Sequence, residues 1–83
     1  DPGKNSDPHQ VQDIIKNISD DIEKLHSAIE SDVNHIEQVA KSLTGDEKKF
    51  NKITEEYNSN LQEIEKEEKG ILSAIACIIN KEI

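Results

Sequence analysis

The sequence predicts an all-α protein: an antiparallel two-helix hairpin, coiled-coil-like, that pairs with a second copy into a four-helix bundle. Three observations predict it. Apolar residues recur in steps of three and four from Val11 to Leu43, and the helical pattern resumes from Phe50 to Ile78. No window alternates with period two between turn signals, so strands are not expected. Between Gly3 and Gly70 there is a single Gly, Gly45, and it sits among helix-capping residues that divide the pattern into two matched arms.

The opening "DPGKNSDPHQ" holds both prolines of the chain in a polar context, and residues 1–7 read as an extended tail. A helix start follows, with Asp7 as N-cap, Pro8 at the first helical position and Gln10 three residues after the cap. The cap oxygen accepts an N–H that the first turn leaves unpaired, and Pro8 has no N–H to lose. The first helix is expected over residues 8–43. Its apolar stripe is Val11, Ile15, Ile18, Ile22, Leu25, Ile29, Val33, Ile36, Val39 and Leu43. Asp20–Lys24 and Glu37–Lys41 stand on the opposite side as favourably oriented i,i+4 pairs.

Residues 44–46 are expected to turn the chain, and a second helix to run over residues 47–82. Thr44-Gly45-Asp46-Glu47 fits the capping box, with Thr44 as N-cap and Glu47 reaching back to it; the alternative is that Gly45 supplies the left-handed residue ending the first helix. The second stripe is Phe50, Ile53, Tyr57, Leu61, Ile64, Ile71, Ile75 and Ile78. Towards the end, Ile71, Leu72, Ala74, Ile75, Ala76, Cys77, Ile78 and Ile79 cover most of the helix circumference, which one companion helix cannot bury. In a hairpin turning here, residues whose numbers sum to about 89 face each other. That register puts Asp32 near Tyr57, Leu25 near Ile64 and Ile36 near Ile53, but sets Ile22 against Glu67 and Glu68.

The alternative is one long continuous helix in a parallel coiled coil. Ile15, Ile22, Ile29, Ile36, Leu43, Phe50, Tyr57, Ile64, Ile71 and Ile78 follow one another at seven-residue intervals straight through Gly45. The intervening d positions argue against it, because Asp32, Asp46, Asn60, Glu67 and Lys81 fall there. One polar layer sets register, but five remove much of a rope's core. A third helix starting at Ser59-Asn60-Leu61-Gln62 is a weaker division of the same pattern.

Composition restricts function. The chain has 83 residues, a net charge of -8, and ten basic residues that are all Lys. Without Arg or a basic face it lacks the footprint of a nucleic-acid binder, and an anionic membrane surface is disfavoured for the same reason. The longest apolar run, residues 70–79, is about half of the ~20 residues that span a bilayer. Asp1 and the absence of Met read as a processed N-terminus, which favours an extracellular location.

No phosphate loop, nucleophile elbow or metal motif occurs, so neither an enzyme nor a cofactor is expected. Cys77 is the single cysteine. Its apolar flanks suggest a buried, inert thiol, with an intermolecular disulfide as the second reading. Asp32-x-x-His35 has ligand spacing, but such pairs are common on polar helix flanks. Asn17-Ile18-Ser19 has the glycosylation pattern inside a helix and carries no weight.

The remaining reading is a non-enzymatic protein–protein interaction or oligomerisation module. Its expected self-association and partner interface is Ile15, Ile22, Ile29, Ile36, Ile64, Ile71, Leu72, Ile75, Ile78 and Ile79, forming a homo-oligomer, a dimer first. An alternative is a small secreted acidic protein that binds and inhibits a target protein through Glu55, Glu56, Glu63 and Glu67. An amphipathic lipid carrier is a distant third, since Trp and a basic flank are absent.

Overall fold

The computed structural model describes residues 7–82, and side chains within Gln10–Lys81 together with those of Asp7 and His9. The expected tail lies outside these residues, except for Asp7. Two helices are present, α1 (Pro8–Thr44) and α2 (Glu47–Glu82). They pack against each other along their length as a hairpin of 64 × 17 × 14 Å.

α1 begins as the sequence leads one to expect. The Asp7 carboxylate accepts the His9 N–H at 2.9 Å, and the Asp7 carbonyl accepts from Val11 N. Both bonds satisfy groups that a first turn leaves unpaired.

The continuous rod does not form, because the chain reverses at Gly45. This residue is left-handed, φ 73°, and its N–H donates to Lys41 O at 2.8 Å, closing α1. A left-handed residue just past a helix is where Gly is preferred, since other residues pay a Cβ clash. The cap of α2 is Asp46 rather than Thr44: the Asp46 carboxylate accepts the Lys49 N–H at 3.2 Å. Thr44 belongs to α1, where its hydroxyl donates to Ala40 O at 2.7 Å and accepts from Asp46 N at 3.2 Å. The Thr44–Glu47 capping box is therefore replaced by a two-residue connection with its own cap.

The shift in the turn moves the register. Gln12 meets Asn80, Glu23 meets Lys69, His26 meets Glu65 and Glu37 meets Thr54, pairs whose numbers sum to 91 or 92 instead of 89. This register moves Ile22 off the level of Glu67, where Glu23 now takes Lys69, while Glu68 still lines one groove with Ile22. Tyr57 lies in an apolar groove with Val33 and Ile36, and no hydrogen bond among the described residues joins it to Asp32.

The residues covered along the seam follow an eleven-residue repeat. Val11, Ile22 and Val33 are half-buried, as are Ile15, His26 and Glu37. On α2, Phe50, Leu61 and Leu72 match them, alongside Thr54, Glu65 and Ala76. Eleven residues per three turns is close to the natural 3.6 period, so this seam runs nearly straight. The seven-residue ladder instead falls behind by about 20° per heptad and leaves the seam. On α1, Ile15, Ile22 and Ile29 are half-buried, but Ile36 is 68% and Leu43 81% exposed. On α2, Phe50 is half-buried, while Tyr57, Ile64, Ile71 and Ile78 are exposed.

Candidate interaction surface

The seam encloses little. Leu72 is the single apolar side chain that counts as buried among the described residues, at 9% exposure. Thr54, five turns before it on the same face of α2, is also buried, and its hydroxyl donates to the Glu37 carboxylate across the seam. That hydrogen bond is the main reason the Glu37 carboxyl sits below its ordinary value, helped by the Lys41 ammonium at 3.2 Å and opposed by desolvation. His26 has carboxylates at both ring nitrogens, Glu30 at 2.8 Å from Nε2 and Glu65 at 3.2 Å from Nδ1. The second contact is poorly aligned, and Nδ1 makes no hydrogen bond. Asn58 Oδ1 is likewise buried without a partner.

One side of the seam is polar. Gln12 donates to Asn80 at 3.0 Å, and Lys69 donates to Glu23 at 2.7 Å. The Lys69 hydrogen bond, with its positive charge, holds the Glu23 carboxyl below its ordinary range, and the Lys69 ammonium is raised in return.

The other side is apolar and open. Among the described residues, twelve large apolar side chains are between 39% and 81% exposed, six on each helix. At 100° per residue, Ile14, Ile18, Leu25, Ile36, Val39 and Leu43 fall within a sector of about 60° on α1. Ile53, Tyr57, Ile64, Ile71, Ile75 and Ile78 fill an equal sector on α2, again about 60° wide. Each sector lies about 90° from its seam in the same rotational sense, which in an antiparallel pair puts both on one face. Two grooves between the helices show this face directly. In one, Leu25 and Ile29 meet Tyr57 and Ile64; in the other, Val33 and Ile36 meet Phe50 and Ile53. Tyr57 lines both, so the grooves join.

The residues expected at an interface divide accordingly. Ile36, Ile64, Ile71, Ile75 and Ile78 lie on the open apolar face. Ile15, Ile22, Ile29 and Ile79 are half-buried, and Leu72 is enclosed within the hairpin itself. Sequence reasoning left Ile14, Ile18, Leu25, Val39, Leu43, Ile53 and Tyr57 off the interface. The sector width held the signal, because a stripe that fills both a seven- and an eleven-residue repeat is too wide for one companion.

Glu55, Glu56, Glu63 and Glu67 are all exposed. Glu56, Glu63 and Glu67 share the outer rim of the apolar face within about 40°, whereas Glu55 turns about 100° away from Glu56. Cys77 is exposed, contrary to the expectation of a buried thiol. The wheel explains it, since Cys77 stands about 130° from both the seam and the apolar sector. No group of three or more potential metal ligands gathers among the described residues, and none of the described helices is long and apolar enough to cross a membrane. No family model matches the chain, and no curated protein or solved structure shows significant similarity to it.

Proposed function

We propose that this chain is a non-enzymatic interaction module that self-associates through its apolar face, two hairpins pairing into a four-helix bundle. The carrying observation is the imbalance between inside and outside: Leu72 buried, twelve large apolar side chains exposed along one face. Contiguous apolar surface of this extent marks an interaction site. A face 64 Å long and 17 Å wide offers roughly 1,000 Å² per partner, against about 800 Å² for a standard stable interface. A lone helix pair leaves each stripe half-covered, and pairing two hairpins covers it.

Sedimentation equilibrium at micromolar concentration tests the reading, with a dimer expected and a monomer sinking it. The alignment of Glu56, Glu63 and Glu67 along the rim supports a second reading, an acidic module that docks on a basic target protein. A stable monomer that binds such a target would favour it.

A further inference from the structure

We infer that the second copy docks with its turn at the same end, so that each α1 lies against the partner's α2. This rests on the self-association reading and adds the orientation of the two copies. Two face-to-face pairings are compatible with a twofold axis. With the axis along the hairpin, the turns lie together and α1 faces the partner's α2. With the axis across it, the turns lie apart, and α1 faces the partner's α1 while α2 faces the partner's α2.

The rim charges separate them. With turns together, the levels across the interface are those already set within one chain, where facing residues sum to 91 or 92. Lys24 then opposes Glu67 and His35 opposes Glu56, while Asp32 lies level with Asn60. All six are exposed; five stand at or beyond the outer edge of the apolar sectors, and Asp32 lies just inside it. The twofold axis repeats each pair, so each rim carries the complementary charges of Lys24 and Glu67, flanked by the polar pairs His35–Glu56 and Asp32–Asn60.

With turns apart, equivalent helices cross at their midpoints. The midpoint of Glu47–Glu82 makes facing residues sum to about 129, which sets Glu63 against Glu67 twice over. The midpoint of Pro8–Thr44 makes the sum about 52, which sets Asp32 beside Asp21. Carboxylates opposed at a rim repel and select against that pairing.

Lys48 is exposed and near the turn, so a single spin label there reads the arrangement. The label goes on Lys48→Cys in a Cys77→Ser background, with dipolar distances and sedimentation measured on the same sample. Turns together give one intermolecular distance within about 30 Å, allowing for two bundle-packed helices at 8–10 Å spacing plus the label arms. A dimer with a distance near the 64 Å length of the hairpin overturns the orientation and leaves self-association standing. A monomer overturns both. Glu67→Lys adds a test by sign. With turns together it faces Lys24 and weakens the dimer about fivefold; a tighter dimer, as contact with Glu63 would give, overturns the orientation.

Discussion

Lys69 of α2 donates to Glu23 of α1 at 2.7 Å, and this exposed bridge stands 46 residues apart in sequence. With Gln12–Asn80 near the free ends and Glu37–Thr54 towards the turn, it fixes how far one arm slides along the other. Two of these polar contacts lie to one side of the seam and Glu37–Thr54 within it; the seam encloses few apolar groups, so register depends on them more than in a well-filled core.

Their titration sets an acid limit. The Glu23 and Glu37 carboxyls are held below their ordinary value of 4.5 by cross-helix hydrogen bonds. Their contribution is fully present above that value and is lost as pH falls through the lower folded values. Lys69 is raised, so its share persists below 10.5 and fades only in stronger alkali. Urea midpoints followed by circular dichroism from pH 6 to pH 2 should fall, and fall less in a Glu23→Gln, Glu37→Gln double variant. An equal fall in both proteins would show that these two carboxyls are not the source.

Thr54→Val removes the hydroxyl that lowers Glu37 and keeps the shape of the side chain. The Glu37 carboxyl should move back up towards its ordinary value, read by carbon NMR titration. An unmoved Glu37 would mean that Lys41 alone holds it down.

The two described glycines should respond in opposite directions. Nothing lies within 4 Å of a Cβ added at either. Gly45→Ala meets only the cost of a left-handed backbone, about 1–2 kcal/mol of stability. Gly70→Ala lies inside α2 and should stabilise by about 0.5–1 kcal/mol. Urea denaturation at fixed protein concentration measures both, and a neutral Gly45→Ala would remove Gly45 as the reason for the reversal.

The sequence made the helices, the two arms and the position of the turn legible, because each rests on local chemistry: Asp7 before Pro8, stripes in threes and fours, and Gly45. The cap and register were harder to read. Thr44 and Asp46 are both good N-caps, and the pattern S/T-x-x-E favoured the first. What decides between them is that Gly45 takes the left-handed conformation, which keeps Thr44 inside α1 and leaves Asp46 as the first free oxygen. A two-residue displacement at the turn then shifts every facing pair. The apolar face was half legible: the ladder through Ile36, Ile64 and Ile71 was plain, but which of its members the seam would cover depends on small angular drift accumulated over several turns.

Two isoleucine and leucine positions should separate folding from association. Leu72→Ala removes the best-enclosed apolar group and should cost about 2–3 kcal/mol of hairpin stability. Ile64→Glu lies on the open face and should leave the helix content intact while weakening the dimer at least tenfold in sedimentation. If Ile64→Glu unfolds the helices even at high protein concentration, the face belongs to the fold of one chain.

Cys77 points away from the apolar face, so association should not depend on it. Cys77→Ser and reducing agent should leave the sedimentation behaviour unchanged. A dimer lost on reduction would place the contact on the opposite side of α2.

The seven-residue ladder has a consequence for genetics. Because it winds slowly around arms whose inner contact runs straight, one row of similar residues passes from one duty to another along its length. Ile15 and Phe50, early in their arms, help hold the arms together; Leu43 and Ile78, late in them, look outward. Identical substitutions stepped along that row should therefore change phenotype partway, from loss of protein to loss of assembly, and the step at which they change would mark the handover from inside to outside.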